Sequence, residues 1–230
     1  MKEKPSQLIS KWLKTGDKTV AIRYMSYFII ALLIFGFCGY AVTKMRLNDA
    51  NCNNLSKIYT GFPKLSSFNP DNAAYKYLLR DYYIKTAYNC CCGGQFKNDW
   101  VNVCALKTCI AQGARVLDFE IYSVNDKPVV ATSSVTNFHT KEMYNQIPFE
   151  DAMNIVNSYA FSGGSTPCPN DPLILHFRIS SNNKKIYDKM ADTIYSTIES
   201  KLLGKEYSYE YTGHNLGAVP LKEFSQKVII

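Results

Sequence analysis

Two carboxylates stand two residues apart in an apolar run, Asp118 and Glu120, and no other pair in the chain is better placed to do chemistry. They lie in residues 113–134, GARVLDFEIYSVNDKPVVATSS. That stretch reads as two buried strands, 115–122 and 128–131, joined by a polar turn at Asn125-Asp126. Strand side chains alternate faces, so Asp118 and Glu120 point one way and Leu117, Phe119 and Ile121 the other. Carboxylates sharing a face repel each other. The pair is tolerable if that face is wet, or if a metal ion or an arginine sits between them. A plainly solvated strand face is the simpler alternative.

The elements needed to position this pair follow in an alternating order. Residues 73–80 read as a helical turn, 82–88 as a strand, and 89–98, NCCCGGQFKN, as a loop. A helix at about 100–112 ends at Gly113, a residue suited to the left-handed position after a helix. Residues 132–146 are polar and loop-like. Helix 149–159, strand 172–179, helix 184–203 and a strand from 226 complete the chain. Strand–helix–strand order predicts an α/β fold with parallel strands, and an all-apolar run such as Leu173-Ile174-Leu175 fits a sheet covered on both faces. Open doubly wound sheets and TIM-type barrels both fit this pattern, and in a barrel the strand C-termini carry the site, which is where Asn89, Asp118, Glu120 and Arg178 would fall. His176, among apolar residues, reads as a core histidine.

Residues 24–42 contain nineteen residues without a charge, bracketed by Arg23 and by Lys44 and Arg46. That length suits the hydrocarbon core of a bilayer, with tyrosines near both ends at interface depth. The division expected is a basic tail at 1–23, a transmembrane helix at 24–43, a linker at 44–72 and an α/β domain at 73–230. Six lysines and arginines precede the span, which predicts a cytosolic N-terminus and a lumenal or extracellular domain. The net charge of +7 is mostly that tail, and no basic block interleaved with aromatics argues for nucleic acid. Seven of the eight cysteines lie beyond the span, and in an oxidising compartment they are expected to pair with one left over. Cys90, Cys91 and Cys92 are adjacent, unlike the usual spacing of zinc ligands.

Several of these segments resemble one family. Tyr83-Ile84 through Asn89, with the loop at 93–95, is similar to the opening of the phosphatidylinositol-specific phospholipase C X region. There a strand ends in Ser-His-Asn-Thr-Tyr before a glycine-containing loop. Gly113-x-Arg115-x-x-Asp118-x-Glu120 resembles the next motif, Gly-x-Arg-x-x-Glu-x-Asp, with the acids exchanged. Lys127-Pro128-Val129-Val130 resembles the strand bearing the second catalytic histidine, Ile147-Pro148-Phe149 and Tyr159-Ala160-Phe161 the helix after it, and residues 171–179 a strand ending in Leu-x-x-Glu. Glycerophosphodiester phosphodiesterases share part of this pattern.

The resemblance implies a TIM-barrel-type fold, here a partial or half barrel, because a closed barrel needs roughly 250 residues. The last strand would leave an apolar edge for a protein partner to cover. It also implies a phosphodiesterase site with two histidines, a calcium ion held by Asn, Glu, Asp and Glu, and a phosphoinositide headgroup as ligand. Carried over residue by residue, the first histidine falls on Tyr88 and the second on Thr132, with His139 as a displaced candidate. Asn89, Asp118 and Glu120 keep metal-ligand character, whereas the last carboxylate falls on Arg178, which cannot ligate calcium. Lys85, Arg115 and Arg178 are the cations available to a headgroup. The expectation is a membrane-anchored, catalytically silent relative in which Arg178 pairs with Asp118 and Glu120 and no cofactor is needed. The alternative is an active phosphodiesterase using altered residues, with calcium if so.

Overall fold

The computed structural model describes residues 18–58, 65–135, 140–208, 210, 213 and 215–230. Contacts divide the chain into Met1–Arg46 and Leu47–Ile230.

The first unit carries most of one long helix, α1, Lys18–Ile58. Its apolar side chains are exposed all round, with Phe28, Phe35 and Phe37 all more than half accessible. A helix apolar on every side has no polar face to offer water, and this one is long and apolar enough to cross a membrane. The helix does not stop at 43. Residues 44–58, expected as linker, continue it, and its last turns belong to the second unit. There Asn51 donates to Asp99 at 2.8 Å, Asn102 donates to Asn48 at 2.9 Å, and Cys52 is disulfide-bonded to Cys104.

The second unit is a mixed sheet with helices on one face. Its strands are β1 (Thr86–Ala87), β2 (Val116–Val124), β3 (Lys127–Val130), β4 (Ile147–Pro148), β5 (Leu173–Ile179) and β6 (Val228–Ile229). The order is β4-β3-β2-β5-β6, and β1 lies parallel to β2 on the edge that β3 occupies further along. β2, β5 and β6 run parallel, as the alternating order predicts, while β3 returns as a hairpin. Asn125 and Asp126 both have positive φ, 52° and 57°, which matches the right-handed twist of a two-residue hairpin turn. The strand expected over 82–88 is reduced to Thr86–Ala87: residues 82–85 follow the 3₁₀ turn Leu79–Asp81 as irregular chain, and only Thr86 and Ala87 pair with β2.

Helices α2 (Val103–Ala111), α3 (Phe149–Tyr159) and α4 (Lys185–Ile198) pack on the outer face. Leu117, Phe119 and Ile121 of β2 meet Leu106, Ile110, Met153, Val156 and Ile186 there, all fully buried. Each such side chain contributes about 1.5–3 kcal/mol on burial. Gly113 ends α2 with φ 79° and its N–H on the Ile110 carbonyl.

The inner face is divided along the strands. Near the strand N-termini, Ile174 and Ile229 pack under Phe68, from the irregular chain before β1, and under Leu79, Leu221 and Phe224, which come from the 3₁₀ turns before β1 and before β6. Nearer the C-termini the same face carries Asp118, Glu120, His176 and Arg178. At β6 the chain itself makes contacts along the edge at Val228. Leu202 bridges to Val228 and the Leu203 N–H donates to the Val228 carbonyl at 2.8 Å.

The cysteines depart from expectation. The disulfide found among the described residues is Cys52–Cys104, while Cys90, Cys91, Cys92, Cys109 and Cys168 are thiols. Cys90 and Cys91 are core side chains, and burial raises the Cys109 thiol to about 11.

Candidate functional site

Register brings the site together. Asp118 stands beside His176 and Glu120 beside Arg178 across the β2–β5 pair, all on the face opposite Phe119 and Phe177. β1 adds the residues that follow it, Tyr88 and Asn89. Asn89 adopts φ 46°, a left-handed conformation that asparagine tolerates. This turns its N–H onto Asp118 Oδ2 at 2.9 Å.

Arg178 is the hub. Its Nε donates to Asp118 Oδ1 at 3.0 Å and its Nη2 to Asp118 Oδ2 at 3.0 Å, a two-pronged pairing of guanidinium and carboxylate. Nη2 also donates to Asn89 Oδ1, and Nη1 lies 3.5 Å from Glu120 Oε2. The ring of Tyr88 covers the guanidinium, with its centroid 4.5 Å from Cζ. Glu120 accepts from the Tyr122 hydroxyl at 2.6 Å and from Ser180 at 3.4 Å.

Asp118 and Glu120 are nearly inaccessible, at 3 % and 5 %. Burial pushes the Asp118 carboxyl up, but hydrogen bonds from Arg178, the Asn89 N–H and His176 outweigh it and leave it below its ordinary value. Burial opposes the charge on Arg178 as well. The Asp118 hydrogen bond and the two carboxylate charges reverse that and raise its pKa. Tyr122 is raised by burial and then by its bond to Glu120.

His176 corrects the sequence reading. It is not a core residue: its side chain is 60 % exposed, with Nδ1 2.7 Å from Asp118 Oδ1. An ionised Asp118 can only accept, so the shared proton sits on Nδ1. The signal was present in the sequence, since His176 lies two residues from Arg178 and must share its strand face.

The other expected residues distribute as follows. Tyr88 stands over Arg178. Thr132 is buried and donates to the Phe96 carbonyl at 3.2 Å. His139 lies outside the described residues. Arg115 is not at the site. It sits at the opposite end of β2, donating to the carbonyls of Ala160, Asp171 and Pro172 at 2.7, 2.8 and 3.1 Å. Burial lowers its pKa to about 10. Its role is to tie the two ends of one connection, residues 160–172 between α3 and β5, to the sheet.

In the segment after β3, Glu142 accepts from the Ser134 N–H at 2.7 Å and hydroxyl, from Ser133 at 3.0 Å, and pairs with Lys97 at 3.1 Å. The Ser134 bonds, side-chain then backbone, and the Lys97 pairing lower the Glu142 pKa to about 2. A depressed carboxyl holds its contacts above its unfolded value and loses them as pH falls through the folded one. We therefore expect the amide signals of Ser133 and Ser134 to stay constant down to about pH 4 and shift with a midpoint near 2. A midpoint near 4.5 would show that Glu142 does not brace this loop.

The fold and site together define a mixed α/β partial barrel with an acid–arginine cluster at the C-terminal ends of its parallel strands. The sequence profile of the phosphatidylinositol-specific phospholipase C, X domain, matches residues 75–230, and the chain belongs to that family. Among solved structures, PLC21 from S. officinalis is similar with a TM-score of 0.55 and 19 % identity, over 67 % of this chain and 18 % of that one. PLC21 from L. pealei gives 0.54 and 18 %, with the same coverage. The chain thus spans less than a fifth of those proteins, and the likeness is one of fold. No curated protein sequence matches.

Proposed function

We propose that this chain is a single-pass membrane protein whose phospholipase C-like domain does not turn over phosphodiesters and acts as a binding or structural component on the lumenal or extracellular side. The observation that carries this is Arg178. Its guanidinium lies against both carboxylates and the Asn89 oxygen, the groups that the family resemblance assigns to calcium. A permanent cation inside that donor set does not fit a second, divalent one. Both Asp118 oxygens and Asn89 Oδ1 are already engaged, and a calcium ion needs six to eight oxygens. Tyr88 cannot replace the family's first histidine as a proton donor and acceptor near neutrality, since a phenol titrates near ~10. The anchor rests on the exposed apolar α1. The sidedness rests on the basic residues before it and on the Cys52–Cys104 disulfide, a bond that persists in oxidising compartments.

A second reading, an active phosphodiesterase with altered residues, is favoured by the Asp118–His176 contact, which resembles an oriented acid–base pair. One assay separates the two. The full chain in lipid nanodiscs is incubated with a soluble inositol phosphodiester, with and without calcium, beside Asp118→Asn. No turnover and no calcium binding by the folded protein are expected. Turnover lost in Asp118→Asn would establish the second reading.

A further inference from the structure

The last turns of α1 have two different sides. Asn48, Asn51, Cys52 and Leu55 recur at the three- and four-residue spacing of one helix face, and that face is held by the domain. Asn48 accepts from Asn102, Asn51 donates to Asp99, and Cys52 is bridged to Cys104. Leu55 packs beside Gly93, where an added Cβ would stand 3.2 Å from Leu55 Cδ1. Asn54 lies off that face. It is exposed, and so are Asn53, Ser56, Lys57 and Ile58 around it.

Asn54-Leu55-Ser56 is also the one Asn-x-Ser/Thr sequence in the chain, with no proline at its middle position. These residue types in this order are what attachment of a glycan to asparagine requires, an amide nitrogen to take the sugar and a hydroxyl two residues on. A branched oligosaccharide is bulky and hydrated and has to stand in solvent. The exposed surround of Asn54 gives it that room, and the contacts of Asn48, Asn51 and Leu55 stay clear of it. Asn54 is twelve residues past Val42, the end of the charge-free run. As helix that is about 18 Å, more than the roughly 5–8 Å depth of the headgroup layer.

We propose that Asn54 is an N-glycosylation site, carrying an oligosaccharide on the lumenal or extracellular side of the membrane. This rests on the sidedness proposed above. The donor is an oligosaccharide carried on a lipid diphosphate, and the catalyst a lumenal transferase. Asn54 Nδ2 forms a bond to the anomeric carbon of the first sugar, and the bond from that carbon to the diphosphate oxygen breaks. The electron pair leaves with the lipid diphosphate, and Nδ2 gives up one proton to a base and keeps the other. No group of the Asp118–Arg178 site takes part, so the modification stands whether or not the domain is catalytic.

The test synthesises the full chain into sealed, glycosylation-competent microsomes. Electrophoretic mobility is read before and after endoglycosidase digestion, and the survival of the domain is read under added protease. A protected domain with the mobility shift of one glycan is expected, and digestion should remove that shift. Asn54→Gln and Ser56→Ala should each lose it, whereas Ser56→Thr, which keeps the hydroxyl, should retain it. Protease protection in each variant reports that the chain was inserted as the parent is. A protected domain with no shift, or a shift that survives Asn54→Gln, would overturn the inference and leave the sidedness standing. A domain open to protease would overturn the sidedness and the inference together.

Discussion

Arg178→Ala is expected to destabilise the domain by about 2–4 kcal/mol, below the usual cost of breaking a buried pair because the arginine is partly exposed. The mechanism is not the loss of a favourable contact alone. Removing the guanidinium leaves Asp118 and Glu120 buried on one face, and leaves Asn89 Oδ1 without its donor. The sign can be checked with pH. Asp118 has a folded pKa below its ordinary value, so in the parent its contribution is present above about pH 4 and is lost as pH falls through the folded value. Without Arg178, burial acts with less opposition and the carboxyl rises. The stability gap between parent and variant should therefore narrow as the medium is acidified below pH ~4. Adding Asp118→Asn and Glu120→Gln to Arg178→Ala should recover part of the loss, because the charges that repel are gone. Chemical denaturation at pH 7 and pH 3 measures all of this, and an Arg178→Ala midpoint equal to the parent would remove the salt-bridge account of the site.

Arg178→Glu carries the same argument further. Three carboxylates facing Asn89 form an oxygen set that suits calcium. This variant is expected to be the least stable without metal and to gain thermal stability as calcium is added, by mass action on the folded state. The parent should show no calcium-dependent shift. A calcium shift in the parent would sink the proposed replacement of the metal by arginine.

The second large effect concerns Cys52–Cys104. The bridge closes a loop across a sequence separation of 52 and fastens the end of α1 to the start of α2. Loop-closure entropy for a ring of that size predicts a loss of about 4 kcal/mol in Cys52→Ser/Cys104→Ser. In a unit of this length that corresponds to roughly 8–16 °C in the thermal midpoint. Asn51–Asp99 and Asn48–Asn102 would remain as the side-chain hydrogen bonds joining the two segments. The same fall should follow treatment of the parent with a reductant, and an unchanged midpoint in both cases would show that the bridge does not staple this junction.

Much of this architecture could be read from local pattern. The alternation around Asp118 places both acids on one strand face, Asn125-Asp126 takes the backbone shape a tight hairpin needs, and α3 begins and ends where its apolar spacing does. Gly113 closes α2 because its φ is one that a side chain would oppose. The charge-free run in α1 announces a helix long enough for a bilayer by composition alone. These are properties of a few neighbouring residues, so the sequence carries them without reference to the rest of the chain.

What only the tertiary structure decided depends on register between distant segments. His176 becomes an exposed partner of Asp118 because β5 pairs with β2 residue for residue. Arg115, a cation that resembles a headgroup ligand in sequence, is spent on three loop carbonyls at the far end of the sheet. The cysteines divide into a bridge and buried thiols according to which sulfurs the packing brings together, which their count and spacing do not determine. Local chemistry specified the strands, the turn and the acids. Long-range pairing placed a guanidinium between those acids, because only the folded sheet brings residue 178 alongside residue 120.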